Sequence, residues 1–464
     1  MNTRRVSRGW WVAAVLACLV VNPYVRGDGN GYYAWLVSPV IDGDLDFTNQ
    51  FRRADPLFQT VMFAPDGTAW PEVITPTGRV GNQWSVGPAV VWAPWFVAAH
   101  AGVTVARAFG ADVAADGYSW PYLWSVAVGT ALYGLLALWW SARVAMWLGY
   151  GDTSVLAVLG IGLASSLPVY HVFLPFHVHA LAACTVAAFV AYGVRHQPVS
   201  RLAEWVCWGA IAGLMVQVYH LNGVFVVGAL WQWIRSVRNT GWSRAVGCGM
   251  AFTMAAVVVS LPQLVGKTIV YGRPWVTGYQ DQFFWTEPRL WQTAFSDNHG
   301  WMTWTPVVSL ALAGLVWVWR DRRSMRVWVV CAAVFYWVLA SYQNWHGQSS
   351  FGNRFLISLT VVLVVGLAAL ADHLGKSPRW PRYGTPVVLG FLIVWNVGFM
   401  FQWGTNIIPN RGPVSVMTVA HNQVAVVPER IARFVRRYLG DRRGVQDEVE
   451  RGDQWERRSY EVVR

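Results

Sequence analysis

RRVSRGWWVAAVLACLVVNPYVRGDGNGYY, residues 4–33, carries the reading on which the fold depends. Arg4, Arg5 and Arg8 precede an apolar run over roughly residues 10–26, and the chain then emerges through Arg26-Gly27-Asp28. A run of that length and polarity fits a membrane-crossing helix. Basic flanks stay on the cytoplasmic side, so the N-terminus is predicted inside. The stretch Val15-Leu16-Ala17-Cys18 looks like a lipoprotein cleavage site, but the apolar run continues past it, so the first helix is expected to be retained.

The same pattern recurs outward along the chain. Of 464 residues, 55% are hydrophobic and 13% charged, against about 25% charged in soluble domains. A spanning segment must satisfy its own backbone, which leaves helices or a closed barrel. The runs are continuous and do not alternate, so helices are expected. Further spans are placed at roughly 120–142, 153–170, 176–194, 203–219, 222–234, 245–266, 301–319, 327–342, 355–373 and 386–403, about eleven with the first. The short pair 203–219 and 222–234 is read as half-helices around a bend. This phase puts Arg143, Arg195, Arg201, Arg235, Arg238, Arg244, Arg320, Arg322, Arg323, Arg326, Lys376, Arg379 and Arg382 in the cytoplasm, as the positive-inside rule requires.

Two polar regions interrupt the runs. Residues 27–119 form a long first extracytoplasmic loop; within it, residues 87–109 are apolar but carry Pro88, Pro94, His100 and Arg107, and are read as a helix lying in the interface. The chain divides into a transmembrane catalytic region, 1–403, and an Arg-rich tail, 404–464, placed outside, with residues 429–439 as an amphipathic helix. The net charge of +12 would suggest a nucleic-acid partner in a soluble protein; here basic loops and the tail account for it, and no nucleic-acid partner is expected. The 31 Trp suit membrane interfaces. The five cysteines fall within spans without metal or redox spacing and read as packing residues.

Polar residues gather on the outer side. Asp28, two residues beyond the first span, could accept a proton from an acceptor hydroxyl; the bland reading is a turn Asp between Gly27 and Gly29. Asp42, Asp44 and Asp46 alternate, so an extended segment would point them one way and could hold a divalent cation; the alternative is an Asp-Gly turn. Asp281, Glu287, Asp297, His299 and His346 lie in outer loops. His171, His177, His179, Gln217, His220 and Asn222 lie near outer span ends, where polar groups mark a site or a water-filled cavity. A guanidinium at Arg354, where a span re-enters, can grip a phosphate with two bonds or merely snorkel. Substrate contacts are assigned to Arg354, His179, His220, Asn222, His299, His346 and Lys267, with Arg273 a further candidate. No Walker A or dinucleotide fingerprint occurs.

At Asp28-Gly29-Asn30-Gly31-Tyr32-Tyr33, Asp42-Gly43-Asp44-Leu45-Asp46-Phe47, Gly87-Pro88…Trp92-Ala93-Pro94, Asn298 to Pro306 and Trp345-His346-Gly347…Phe351 to Phe355, the chain resembles membrane glycosyltransferases of the GT-C class, in its family-39-like and lipopolysaccharide-core-transferase-like group. The resemblance implies an all-α polytopic GT-C-like bundle whose first outer loop carries interfacial helices. It implies transfer of a sugar from a polyprenyl-phosphate carrier to an extracytoplasmic glycan, lipid or protein, with inversion, and Asp28 as base. The chain departs from the pattern in lacking an adjacent acidic pair at Asp28, and in carrying Gln217-Val218-Tyr219-His220 where members often have Arg. The physics points the same way: a polyprenyl chain stays in the bilayer while its phosphate stays out, so such a site lies at the interface. The rival readings are a transporter or flippase of lipid-linked saccharide, an O-antigen-ligase-like enzyme dependent on late-loop Arg and His, and a non-catalytic envelope assembly protein.

Overall fold

In the computed structural model, residues 3–277 and 282–462 are described, with side chains over 9–277 and 282–452. Asp281 lies outside the described residues.

The first apolar run forms α1 (Thr3–Val20). It ends before Pro23, and the loop beyond contains α2 (Asp28–Val37), α3 (Thr48–Arg52), α4 (Pro56–Met62) and α5 (Gly87–Ala108). Then come α6 (Trp120–Trp147), α7 (Thr153–Ala164), α8 (His179–Arg195), α9 (Leu202–Val218), α10 (Val226–Thr240) and α11 (Trp242–Tyr271). The short α12 (Leu290–Phe295) and α13 (Trp301–Trp304) precede α14 (Val307–Asp321), α15 (Arg326–Ser341), α16 (Thr360–Gly375) and α17 (Gly384–Gly404). The tail supplies α18 (Val416–Ala425), α19 (Val427–Gly440) and α20 (Arg442–Val462). Among the described residues the only β pairing is three isolated bridges, so the protein is all-α.

Among the described residues six helices are long and apolar enough to cross a membrane: Gly87–Ala108, Trp120–Trp147, Trp242–Tyr271, Arg323–Ser341, Arg354–Gly375 and Gly384–Gly404. Shorter apolar helices cover Gly9–Val20, Thr153–Ala164, His179–Arg195 and Leu202–Val218. Met250, Met254 and Val258 form an exposed stripe on α11, and Val387, Phe391 and Val394 another on α17. Stripes of this kind would be costly in water and are natural against lipid. These features make the chain an integral membrane protein.

The helices pack through small residues. Gly209 and Gly213 of α9 press on the Phe252 and Ala256 carbonyls of α11, leaving no room for a Cβ. Gly314 of α14 meets the Gly366 carbonyl of α16 in the same way. Without water to drive apolar association, close backbone approach is what holds such pairs.

The bundle has two ends of different character. At one, Arg143 and Arg195 lie over the Trp147 ring at 5.4 and 5.8 Å, and Arg322 lies over Tyr150 at 5.1 Å. There Thr153 also donates to the Ala368 carbonyl at 3.1 Å. The first loop, the breaks after α7 and α9 and the tail gather at the other end.

Several expected spans are shorter or broken. The run 153–170 is helical only to Ala164; Pro168 follows, and residues 165–178 unwind through a π turn, Val169–Phe173. The run 301–319 is interrupted at Thr305-Pro306. The pair 203–219 and 222–234 is a hairpin of two helices, α9 and α10, joined by a 3-10 turn, His220–Phe225. The region 87–109 is a continuous 22-residue helix despite Pro94. Its length and composition suffice for a span, yet its flanks stay with first-loop elements. Before it, Asn82 donates to the Gly31 carbonyl at 2.9 Å. After it, the Gly117 carbonyl accepts from Tyr33 at 2.6 Å, and Arg53 pairs with Asp116 at 3.0 Å.

The tail packs back on the bundle. Arg442 donates to the Val21 and Leu19 carbonyls at 2.7 and 3.0 Å, and Tyr438 donates to the Val20 carbonyl at 2.9 Å. These are terminal carbonyls of α1, which lack intrahelical partners.

Candidate active site

Asp28 is the first residue of α2, where the helix dipole favours a carboxylate. The turn before it is pinned. Asp55 accepts from the Gly27 N–H and from Asn30 Nδ2, both at 2.7 Å. Its other oxygen caps α4 by accepting from Phe58 N at 3.1 Å. Gly27 has φ 54°, a left-handed conformation natural to glycine.

Arg354 approaches from the opposite end of the sequence. Gly347 and Gly352 are left-handed at φ 80° and 56°, and fold the 345–353 loop back on itself. Asn353 donates to the Trp345 carbonyl at 2.8 Å, and Phe351 N donates to Tyr170 at 3.1 Å. Arg354 thereby enters the bundle buried, and its Nη2 meets Asp28 Oδ2 at 2.8 Å. Nη1 reaches His177 Nδ1 at 3.4 Å, while Nε is buried without a partner. The pair is uneven: the Arg354 side chain is 11% exposed and that of Asp28 is 34%.

The electrostatics follow from this pairing. Burial raises the Asp28 carboxyl, but the charge of Arg354, the proximity of His177 and hydrogen bonds from Trp84 and Arg354 outweigh it and leave the group below the usual carboxylate range. Burial pushes His177 down to about 4, with Asp28 opposing and Arg354 adding to the shift. A neutral His177 can accept from Arg354. Tyr170 lies against both rings of the His177–His179 pair, at 5.8 and 5.0 Å, and His179 in turn lies 6.2 Å from Tyr219.

The remaining sequence candidates divide. His299 is fully buried on Trp304, with ring centroids 4.4 Å apart; it is left-handed at φ 57°, and neither ring nitrogen has a partner. Half-buried His346 accepts from Gln348 N at 3.0 Å. Both His346 and Arg354 act electrostatically on His299. Asn222 is buried with both amide atoms unpartnered, while His220 beside it is exposed. His171 packs on Gly134. Gln217 ties α9 to the Val259 carbonyl of α11 at 2.9 Å. Arg273 is exposed.

Two expectations are corrected. Lys267 is buried, and its ammonium donates to the Asn82, Gln83 and Thr277 carbonyls at 2.7, 3.1 and 3.2 Å. An ammonium has three donors, so none remains for a substrate; the lysine staples the loop before α5 to α11. Asp42, Asp44 and Asp46 do not converge. Asp42 accepts from Asn49 and Gln50. Asp44 accepts from Ser38 and the Asp46 N–H, and Asp46 from the Thr48 N–H and hydroxyl. Asp42 ties back the start of α3 while Asp44 and Asp46 each close a local turn, and among the described residues no three His, Cys, Asp or Glu side chains form a metal-holding group.

Asp55 and Trp84 join the site with no local signal in the sequence, and Tyr170 joins them. His177 does have one, in the run Tyr170-His171-Val172-Phe173-Leu174-Pro175-Phe176-His177-Val178-His179.

No family model matches the chain, and no curated protein matches its sequence. Among solved structures it is similar to ArnT from Cupriavidus metallidurans bound to undecaprenyl phosphate, with 17% identity and TM-score 0.48 over 98% of this chain and 75% of that one. It is similar to the apo oligosaccharyltransferase of Archaeoglobus fulgidus, with 12% identity and TM-score 0.42 over 96% of this chain and 55% of that one. A third likeness is to the archaeal oligosaccharyltransferase AglB from Archaeoglobus fulgidus in complex with an inhibitory peptide and a dolichol-phosphate, with 11% identity and TM-score 0.40 over 96% and 55%.

Proposed function

We propose that the protein is a membrane glycosyltransferase that moves a sugar from a polyprenyl-phosphate carrier to an acceptor hydroxyl or amide outside the cytoplasm. The observation that carries this reading is the Asp28–Arg354 pair, 2.8 Å apart at the loop end of a membrane bundle. It joins one group suited to a proton and one suited to a phosphate. The sequence motifs at both residues support the same reaction.

In this reading Asp28 takes the acceptor proton as the acceptor atom bonds to the anomeric carbon. The bond from that carbon to phosphate oxygen breaks on the opposite face, giving inversion. Polyprenyl phosphate leaves with the electron pair, its charge held by the Arg354 guanidinium. The neutral His177 offers a hydrogen bond without adding charge. The chain is read with eleven crossings, its N-terminus cytoplasmic and this site outside, and the tail as a separate region on the same side.

The test is a lipid comparison of cells with and without the gene, paired with purified protein in liposomes given polyprenyl-phosphate sugars. The expected result is accumulation of one such sugar carrier in the deleted strain, and release of polyprenyl phosphate by the protein. If no carrier accumulates and none is consumed, the transferase reading fails.

A further inference from the structure

The same ion pair poses a problem for the reaction. A carboxylate held by a guanidinium is a poor base, and a guanidinium held by a carboxylate is a poor phosphate ligand. We propose that the carrier phosphate displaces Asp28 from Arg354, so that donor binding itself frees the base. This rests on the transferase reading above and adds an order to it: Asp28 becomes competent only after the donor phosphate is seated.

Three observations carry the exchange. First, the burial of the pair is uneven. Arg354 is the inner partner, 11% exposed, and Asp28 the outer, 34% exposed. A ligand entering from the loop side meets the carboxylate first. Asp28 stands at the loop-side start of a helix, whereas the Arg354 side chain is held inside the bundle. The carboxylate is therefore the partner that moves.

Second, Arg354 has unused capacity. Its Nε is buried with no partner. A phosphate gripped by two parallel bonds would use Nε with Nη2, and Nη2 is the atom that Asp28 now holds. Leaving a buried donor unsatisfied is costly, and a two-pronged ligand would relieve it.

Third, the charges do not balance with all three groups together. Asp28 is faced by Arg354 and His177, by the Trp84 hydrogen bond and by the neutral Tyr170 phenol. Around Arg354 stand Tyr32, Tyr170, Tyr219 and His179, none of them cationic. Arg26 is another cation nearby, and it acts on His177. Lys267 is committed to backbone carbonyls. A phosphate and a carboxylate on one guanidinium would crowd like charges in a partly buried site, so one of them leaves. Once free, Asp28 keeps its burial and loses its strongest stabiliser, and its affinity for a proton rises.

The test measures binding of farnesyl phosphate to detergent-solubilised wild type, Asp28→Asn and Arg354→Gln, with inorganic phosphate as the control for headgroup alone. Exchange makes Asp28 a competitor for Arg354, and apparent affinity scales with the fraction of competent protein. Asp28→Asn is therefore expected to bind about tenfold more tightly than wild type, and Arg354→Gln more weakly. If Arg354→Gln binds weakly but Asp28→Asn does not tighten, the exchange is overturned and Arg354 remains the phosphate ligand. If Arg354→Gln binds as wild type does, the phosphate assignment falls together with the exchange. Should either variant misfold, infrared difference spectra of wild type with and without farnesyl phosphate decide the matter. A carboxylate band that shifts on binding supports the exchange, and an unchanged carboxylate region overturns it.

Discussion

Whether Asp28 holds a proton decides what this site can do. Asparagine at position 28 is nearly isosteric but cannot take the proton, so Asp28→Asn is expected to lower turnover by roughly 10²–10⁴-fold, measured as sugar transferred per purified protein. Arg354→Lys keeps the charge but loses the fork. With one charge-assisted bond gone, donor affinity is expected to fall by about tenfold or more, checked by titration with polyprenyl phosphate. Stability should depend on pH through the same residues. The Asp28 pair has a lowered folded value, so its contribution is complete above the ordinary carboxylate pKa of about 4. It is lost as pH falls further, through the folded value. His177 acts over a higher window. Unfolded, it protonates near about 6.5; folded, it resists to about 4. Between these values the unfolded chain binds more protons, so stability falls as pH falls. The thermal midpoint of wild type should decline across this interval, and His177→Asn should flatten the decline.

For the helices, backbone proximity is decisive. Gly213 packs on the Ala256 carbonyl of α11 with no space for a side chain. Gly213→Leu is expected to force α9 and α11 apart and cost about 1–3 kcal/mol or more, read as a lowered melting temperature in detergent. At the loop end, Arg442 supplies hydrogen bonds to the last carbonyls of α1. Arg442→Ala should remove them and destabilise by about 1–3 kcal/mol. Because α1 leads into the turn that presents Asp28, the same variant should reduce turnover. The amphipathic pattern over 429–439 was legible because its period is local. The packing of α19 and α20 on α1 was not, because Arg442 and Val21 are 421 residues apart.

Across the whole molecule, the arrangement predicts which loops face which side. Single cysteines introduced in the 27–119 loop should react with an impermeant reagent on intact cells. Those placed among Arg235–Arg244 or Arg320–Arg326 should react only after permeabilisation. Labelling of the latter two loops in intact cells would reverse the orientation. The clustering of Arg143, Arg195 and Arg322 with Trp147 and Tyr150 at one end of the bundle, away from the site, is what this experiment turns into a statement about sides.

Hydropathy and charge, which are sums over neighbouring residues, were enough to determine an all-α membrane protein, the location of most of its helices and the gathering of polar groups at one end. They also singled out Asp28 and Arg354, each of which stands where an apolar run meets a polar loop. Composition could not say that these two would meet, since 326 positions separate them and only tertiary packing closes the distance to 2.8 Å. Nor could it say that Lys267 would spend its three donors on backbone carbonyls, or that Asp42, Asp44 and Asp46 would each take separate partners. A side chain's partners are set by whatever the fold brings within about 3 Å. Periodicity along the chain carries no record of that, and tertiary packing alone supplied it.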